Sequence, residues 1–419
     1  MYIDLGGPMK FGLLGRTLGH SFSPRIHSAL GNTNYELFER EPSQLQEFFA
    51  DPELQGINIT IPYKVNALEA CDVVDPRAER IGCVNTMVRK DGKWHGYNTD
   101  YDGFVFTLQH AGIDVSGKEC IILGDGASSA TVHVALEDLG AKNIVHLSRK
   151  TAPFYGDAPN YYETAQIIIN CTPIGMYPHN PANLIDITQF SKLEGVVDLI
   201  YNPRRTILLL QAEMMEIPHC DGLPFLVAQG VEAANHFQGE SFGTKEIEQI
   251  LRDMRREKEN IILIGMPGVG KTTVGKALGE EMGRTCVDVD QELEKEIGDI
   301  SAYITEQGEP AFREKEAKMI AKLGTQTGLV ISTGGGCVTV PKNYAHLRQN
   351  GRIYQLTQPV ENLSTSGRVL SGGGIERLRE LEATRTPMYE SFAQCIVEHN
   401  RNASETVAAI LEDFEANLL

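Results

Sequence analysis

The run Ile262-Leu263-Ile264-Gly265-Met266-Pro267-Gly268-Val269-Gly270-Lys271-Thr272 joins a short apolar strand to a helical stretch through a glycine-rich turn. An earlier run, Ile121-Ile122-Leu123-Gly124-Asp125-Gly126-Ala127-Ser128-Ser129, does the same. Glycines let the backbone approach phosphate oxygens, and the N-terminus of the following helix offers unpaired N–H groups to negative charge. Two such turns imply two nucleotide ligands. The later one satisfies Gly-x4-Gly-Lys-[Ser/Thr] between a strand and the helical pattern Val274 to Glu281, the context that motif requires. There Lys271 is expected to reach the β- and γ-phosphates of a nucleoside triphosphate and the Thr272 hydroxyl to ligate Mg2+, with Gly268, Gly270 and Thr273 around the phosphates; the motif alone leaves GTPases, ATPases and small-molecule kinases open. The earlier turn lacks the lysine, which points to redox rather than phosphoryl-transfer chemistry.

Outward from these turns, Ile- and Val-rich runs alternate with amphipathic stretches along the whole chain, the pattern of parallel sheets covered by helices. At 419 residues the chain suits two or three domains. A net charge of −18 argues against nucleic acid or an anionic membrane as partner, so an anionic substrate must meet local basic residues. The eight cysteines are scattered with no Cys-x-x-Cys pair, which suggests neither a zinc cage nor a disulfide framework but reduced thiols in a cytoplasmic protein. No apolar run reaches membrane-spanning length, and Met1 to Asp4 has no basic start or apolar region behind it. Met9-Lys10-Phe11-Gly12 reads as the first strand, leaving residues 1–8 as an extension. Leu251 to Asn260 is nearly all charged and a new strand follows at once, placing the main boundary close to residue 255.

Four polar clusters precede the first glycine turn. Gly15-Arg16-Thr17-Leu18-Gly19-His20-Ser21-Phe22-Ser23-Pro24 is a hydroxyl-rich turn leading into a helix, and Asn58-Ile59-Thr60-Ile61-Pro62-Tyr63-Lys64 sets polar side chains at a strand end. Gly82-Cys83-Val84-Asn85-Thr86 and Gly96-Tyr97-Asn98-Thr99-Asp100 repeat the combination of amide, hydroxyl and charge, which suits a small polyhydroxylated ligand. With Ile169-Asn170-Cys171-Thr172-Pro173, Val197-Asp198-Leu199-Ile200-Tyr201-Asn202-Pro203 and Asp221-Gly222-Leu223-Pro224-Phe225 to Gln229, residues 9–250 resemble shikimate dehydrogenase. The resemblance implies that Ser21, Ser23, Thr60, Asn85, Tyr201 and Gln229 bind shikimate and that Lys64 and Asp100 form the catalytic pair. Reduction of a ketone wants such a pair, because the oxygen needs a proton while the carbon receives hydride.

For the dinucleotide, Gly124, Gly126, Ala127, Ser128, Leu199 and Gly222 are the expected contacts, together with Ser148-Arg149-Lys150 after the strand Asn143 to Leu147. Basic residues at that strand end favour a 2′-phosphate, hence NADP. Three features depart from the family: Asp125 and Ala127 in its usual Gly-Ala-Gly-Gly-Ala turn, a short segment between Arg149 and Ile167 expected to lose or reduce a strand and a helix, and Phe225 where methionine is common.

After the second turn, Val287-Asp288-Val289-Asp290, Gly308-Glu309-Pro310-Ala311-Phe312-Arg313-Glu314-Lys315-Glu316, Ser332-Thr333-Gly334-Gly335-Gly336 and Arg385-Thr386-Pro387 make residues 260–419 resemble shikimate kinase. The resemblance implies Asp288 in the Mg2+ site with Thr272, a catalytic role for Asp290 and Lys271, and shikimate held by Arg313, Gly335, Gly336 and Arg385. Arg368 matches one lid arginine in a segment shorter than the family's, so weakened ATP affinity is expected.

The expected architecture is α/β throughout. A shikimate-binding domain (1–101 and 223–253) and a Rossmann NADP domain (102–222) are followed by a linker (254–259) and a P-loop kinase domain with a parallel sheet (260–419). The implied substrates are 3-dehydroshikimate and shikimate; a homodimer is compatible with this reading. Two alternatives stay open: that one half is a non-catalytic ligand-binding regulator, and that the first half is an NAD-using quinate/shikimate dehydrogenase.

Overall fold

The computed structural model describes residues 9–19, 21–178, 180–363, 374–400 and 402–419; the extension at 1–8 and Arg368 lie outside the described residues. The chain forms two compact units, Met1–Leu251 and Arg252–Leu419.

The first unit holds two sheets. One contains β1 (Lys10–Gly15), β2 (Tyr35–Glu39), β3 (Leu54–Ile59), β4 (Val73–Val74), β5 (Thr86–Lys90) and β6 (Lys93–Tyr97) in the order β2-β1-β3-β5-β6-β4. Strands β1, β2 and β3 run parallel, whereas β5 is antiparallel to both β3 and β6. The register of β3 with β5 sets Asn58 opposite Thr86, which brings two of the polar clusters face to face. Leu14, Ile57, Ile59 and Met87 fill the core beneath, with Trp94 at its edge.

The second sheet is wholly parallel: β7 (Glu119–Leu123), β8 (Asn143–Leu147), β9 (Ile167–Asn170), β10 (Gly195–Asp198) and β11 (His219–Cys220), ordered β11-β10-β9-β7-β8. Near-continuous Ile and Val in these strands match a sheet buried on both faces. Between β8 and β9 the connection is a 3-10 turn at Tyr155–Tyr161 rather than a full helix, as the short sequence there anticipates. The helices Asp100–Ala111 and Leu223–Gln238 connect the two sheets and pack together closely at Gly103. A side-chain carbon added there would lie 2.8 Å from the Phe225 carbonyl oxygen.

The second unit has one parallel sheet of β12 (Asn260–Gly265), β13 (Cys286–Asp288), β14 (Val330–Ser332), β15 (Gly351–Thr357) and β16 (Cys395–Glu398), ordered β13-β14-β12-β15-β16. Residues 254–258, expected as part of the linker, are helical, the end of Thr244–Lys258, and β12 begins two residues later. Ile247, Ile250, Leu251 and Met254 are buried at helical spacing, and the charged residues between them occupy the other face. Among the described residues no helix is long and apolar enough to cross a membrane. All eight cysteines are free thiols.

Candidate active sites

The polar clusters of the first unit converge because each sits where a strand ends or a helix begins. Lys64 is the first residue of the helix Lys64–Ala70 and Asp100 the first of the helix Asp100–Ala111. Lys64 Nζ donates to Asp100 Oδ2 at 2.5 Å, with side chains only 12% and 6% exposed. Burial pulls the Lys64 ammonium toward losing its proton, but the adjacent carboxylate overcomes this and holds its pKa above the ordinary value. Asn85 Nδ2 donates to the other oxygen, Asp100 Oδ1, at 2.9 Å, and Asn85 Oδ1 accepts from the Thr99 backbone N–H at 2.7 Å. The carboxylate is therefore fixed on both oxygens.

This network extends inward. Asn58 Nδ2 donates to Thr86 Oγ1 at 3.0 Å, while Asn58 Oδ1 accepts from the Tyr35 hydroxyl at 2.7 Å and lies 3.1 Å from His27 Nε2. Burial lowers the His27 pKa to about 3, so its ring is neutral and serves as a packed hydrogen-bonding group stacked on Tyr35. Thr86, Thr99, Asn58 and Tyr35 belong to this network but were left without a role in the motif reading; the pairing of β3 with β5 joins Asn58 to Thr86, while Tyr35 enters from β2 and Thr99 from the turn after β6.

Ser21 and Ser23 are joined through their hydroxyls at 3.2 Å, and Phe22 between them packs its ring 5.6 Å from that of Tyr201. Tyr201 follows β10, so this contact brings the second sheet to the serine turn. Thr60 extends β3, its N–H bonded to the Leu14 carbonyl, and its own carbonyl accepts from Tyr63 just before Lys64. Gln229 lies on the helix packed at Gly103, where a side-chain carbon would lie 3.0 Å from Gln229 Cβ, less than one turn from Asp100 at the head of the facing helix; its Nε2 donates to the Leu226 carbonyl at 2.8 Å.

The dinucleotide turn has the form a pyrophosphate requires. Gly124 adopts φ +117°, open to glycine and strained for other residues, and Gly126 caps the helix Ala127–Asp138 with open space where a side chain would stand. Across the sheet, a side-chain carbon at Gly222 would lie 2.0 Å from the Leu199 carbonyl oxygen, so these two expected contacts abut. Arg149 and Lys150 are exposed at the end of β8. Ser148 is fully buried, and its hydroxyl accepts from the Lys150 and Thr151 N–H groups at 3.1 and 3.0 Å, shaping the turn that carries Arg149 and Lys150. Asp125 is exposed and close enough to Tyr155 to act on it electrostatically, as does Arg149. The glycines and exposed cations fit a phosphorylated dinucleotide; Asp125 is a discordant charge in the turn.

In the second unit, Lys271 Nζ donates to the carbonyls of Gly265 and Met266 at 2.8 and 3.0 Å, folding over the phosphate loop. Thr272 Oγ1 donates to Asp288 Oδ2 at 2.7 Å, placing a hydroxyl and a carboxylate together as a hard cation demands. Asp288 also caps the helix Val289–Ile297 through its other oxygen. Thr273 is exposed on the next helical position.

The triple glycine joins this loop to the acceptor residues. A side-chain carbon at Gly335 would lie 2.7 Å from Pro267 of the phosphate loop, and one at Gly336 would lie 2.1 Å from Arg313 Nη2. Arg385 Nη1 donates to the Gly335 carbonyl at 3.0 Å, and the Tyr389 hydroxyl donates to the same oxygen. At Gly334 a side-chain carbon would meet both Asp290 Oδ1, at 2.8 Å, and Glu316 Oε1, at 2.7 Å. Glu316 is fully buried and accepts from Arg313 Nη1 at 2.8 Å through Oε2, so it aims the guanidinium. Burial raises the Glu316 pKa against the pull of Arg313. Its role was not legible in the sequence, although the Arg-x-x-Glu spacing on a helix is the signal.

A parallel-sheet dinucleotide fold carrying a buried lysine–carboxylate pair defines an α/β dehydrogenase, and a phosphate loop beside two arginines gathered at a triple glycine defines a small-molecule kinase. Comparisons with known proteins agree. Residues 13–87 match the family model of the shikimate dehydrogenase substrate binding domain, and residues 267–415 match that of shikimate kinase. A shikimate dehydrogenase (NADP(+)) of Clostridium perfringens is 35% identical over 265 residues, covering 58% of this chain and 98% of the relative. The crystal structure of a chorismate mutase/shikimate 5-dehydrogenase fusion protein from Clostridium acetobutylicum superposes with a TM-score of 0.56 at 31% identity, over 59% of this chain and 97% of that one. That of shikimate dehydrogenase 1 from Peptoclostridium difficile gives 0.53 at 32% identity, over 58% and 97%. The chain belongs to the shikimate dehydrogenase family and carries a shikimate kinase domain behind it.

Proposed function

We propose that the chain is a bifunctional enzyme that reduces 3-dehydroshikimate to shikimate with NADPH and then phosphorylates shikimate to shikimate 3-phosphate with MgATP. The observation that carries the reading is the buried Lys64–Asp100 pair at 2.5 Å, with Asn85 donating to the other Asp100 oxygen. When bound, the dinucleotide supplies hydride and the nucleoside triphosphate supplies the phosphoryl group. Lys64 holds the proton that the ketone oxygen requires as hydride reaches its carbon, and Asp100 keeps that ammonium oriented and charged. Asn85 fixes Asp100, while Ser21, Ser23, Thr60, Tyr201 and Gln229 bind the substrate's hydroxyls and carboxylate. Gly124, Gly126, Ala127, Ser128, Leu199 and Gly222 surround the dinucleotide, and Arg149 and Lys150 meet its 2′-phosphate.

In the second unit Arg313 and Arg385 suit a carboxylate through forked hydrogen bonds, and the Gly335 and Gly336 backbone closes the pocket. Asp290 accepts the proton of the attacking hydroxyl, Lys271 neutralises charge on the phosphates, and Thr272 with Asp288 would hold Mg2+. The test uses two variants of the full chain. Lys64→Ala should abolish NADPH oxidation by 3-dehydroshikimate and leave phosphorylation of supplied shikimate intact, and Lys271→Ala should do the reverse. If either activity is absent from the unmutated chain, that half is a binding module and the bifunctional reading fails. A second reading, an NAD-preferring first unit, draws support from Asp125, an exposed acid in the glycine turn after β7; comparing NADH with NADPH decides it.

A further inference from the structure

His146 on β8 and His133 on the helix Ala127–Asp138, which follows the dinucleotide turn, meet end to end. His133 Nδ1 lies 2.9 Å from His146 Nε2, and the ring centroids are 5.1 Å apart. Contacts continue at both ends. His146 Nδ1 lies 3.2 Å from the Gly124 carbonyl oxygen of the turn, and His133 Nε2 lies 3.3 Å from Glu137 Oε1, one helical turn along. A carbonyl and an ionised carboxylate only accept, and this fixes the protons between them. The Gly124 carbonyl requires an N–H at His146 Nδ1. A neutral His146 then presents a lone pair at Nε2, to which His133 Nδ1 donates. His133 Nε2 is left facing the Glu137 carboxylate, and that contact is attractive only if it carries a proton too. Glu137 stays ionised, because the Arg80 guanidinium donates to its other oxygen at 3.0 Å and holds its carboxyl below the usual range. The three contacts need three protons on two rings, one more than two neutral histidines carry.

We infer that His133 and His146 are positioning residues of the dinucleotide site, sharing one added proton whose positive charge stands behind the Gly124 turn and strengthens binding of the dinucleotide's pyrophosphate. The inference rests on reading that turn as a dinucleotide site. The peptide joining Gly124 to Asp125 is planar and trans, so a carbonyl anchored on His146 turns the Asp125 N–H the opposite way. That N–H donates to nothing among the described residues and is free for an anion. In the free protein burial lowers the His146 pKa, which keeps the charge outward on His133. Passing the proton of His133 Nδ1 across the 2.9 Å contact to His146 Nε2 moves the charge inward, beside the turn, with no change in proton count. Negative charge at the turn favours that transfer. The other charged or titratable groups around the pair are few. Asp138, on the same helix as Glu137, is held by Arg80 of the helix Pro76–Ile81 and by the Tyr101 hydroxyl. Asp125 of the turn acts on His146 electrostatically, with Arg149 and Tyr155 beyond it. The protonated pair suits an anion better than the neutral one, so dinucleotide affinity falls as pH rises through the pair's titration.

The experiment titrates NADPH into the full chain by fluorescence between about pH 5.5 and 8.5, beside His133→Gln, a range that spans histidine charging. The glutamine keeps an N–H donor for His146 Nε2 but cannot titrate, and the position is 36% exposed, so the fold tolerates the change. Across that range the affinity of the unmutated chain should weaken about twofold to fivefold more than that of the variant, the scale of a partly exposed charge. The 2′-phosphate titrates alike in both proteins and cancels in the comparison. At the acid end of the range, 15N shifts of the unmutated chain without dinucleotide should show His133 protonated on both nitrogens and His146 on Nδ1 alone. Equal pH dependence in the two proteins, a neutral His133, or an unprotonated His146 Nδ1 overturns the inference. The difference in pH dependence without reduction of 3-dehydroshikimate would defeat the dehydrogenase reading and leave the histidine pair standing; reduction without that difference would defeat the pair alone. Failure to bind NADPH overturns both.

Discussion

Asp100→Asn isolates what the Lys64–Asp100 pair contributes. At 2.5 Å the gross attraction is about 7 kcal/mol with an effective dielectric near 20. Much of that offsets the removal of both groups from water, and breaking one partner of a buried pair typically costs about 3–5 kcal/mol. The asparagine cannot substitute quietly. If its oxygen faces Lys64, its NH2 confronts the NH2 of Asn85 that now donates to Asp100 Oδ1; if the amide is reversed, its NH2 confronts the ammonium. Either arrangement leaves two donors opposed. Burial, the largest influence on Lys64, then acts without a counter-charge, and its pKa falls. In the folded wild type that pKa is raised, so the pair's contribution to stability is complete below the ordinary lysine value and is lost only as pH rises through the raised one. In Asp100→Asn the sign reverses: with its folded pKa below the ordinary value, the charged lysine destabilises the fold, and stability rises as pH climbs through that lowered pKa. The expected drop in kcat is about 10²–10⁴, the scale of losing a positioned proton donor, and the alkaline limb of the pH–rate profile moves downward. NADP-dependent oxidation of shikimate, followed by absorbance from neutral to strongly alkaline pH, measures both. A kcat within tenfold of wild type and an unmoved alkaline limb would refute the assigned role of the pair.

Other perturbations separate the remaining parts. Gly336→Ala forces a methyl group into the Arg313 guanidinium, 2.1 Å away, and should raise the kinase KM for shikimate roughly tenfold while NADPH oxidation is unchanged; steady-state kinetics of both reactions checks this. Glu316→Gln removes the charge that aims Arg313 and should raise the same KM by a similar factor, about 1.5 kcal/mol for a charged hydrogen bond, with little change in the KM for ATP. Asp125→Asn removes an exposed acid from the glycine turn and should tighten NADPH about twofold to fivefold, the range of a solvent-exposed charge, as read by fluorescence titration. Gly222→Ala drives a methyl group into the Leu199 carbonyl and should lose dinucleotide binding and lower the melting temperature of the first unit alone, seen by calorimetry.

The parts of this molecule written locally were legible in the sequence. The strand–turn–helix around Gly265 to Thr272 needs only adjacent residues, and so does the turn at Gly124. The Lys64–Asp100 contact was reached through resemblance, because no spacing rule brings residues 36 positions apart to 2.5 Å. What eluded reading depends on pairing and packing. Thr86 meets Asn58 only because β3 and β5 run antiparallel in that register. The charged stretch after Leu251 hid a helix, since the apolar residues that define it, Ile247, Ile250, Leu251 and Met254, begin before the stretch does. Ser148 and the basic residues beside it looked equivalent as cofactor contacts; burial separates them, turning the serine inward to hold the turn and leaving the cations outside.

The central claim is that one chain performs two successive reactions on one small molecule. Incubating the full chain with 3-dehydroshikimate, NADPH and MgATP, and following all products by mass, tests it most directly. The account predicts shikimate 3-phosphate formed with matching consumption of NADPH and ATP. Accumulation of shikimate without its phosphate, or no reduction of 3-dehydroshikimate at all, would contradict it.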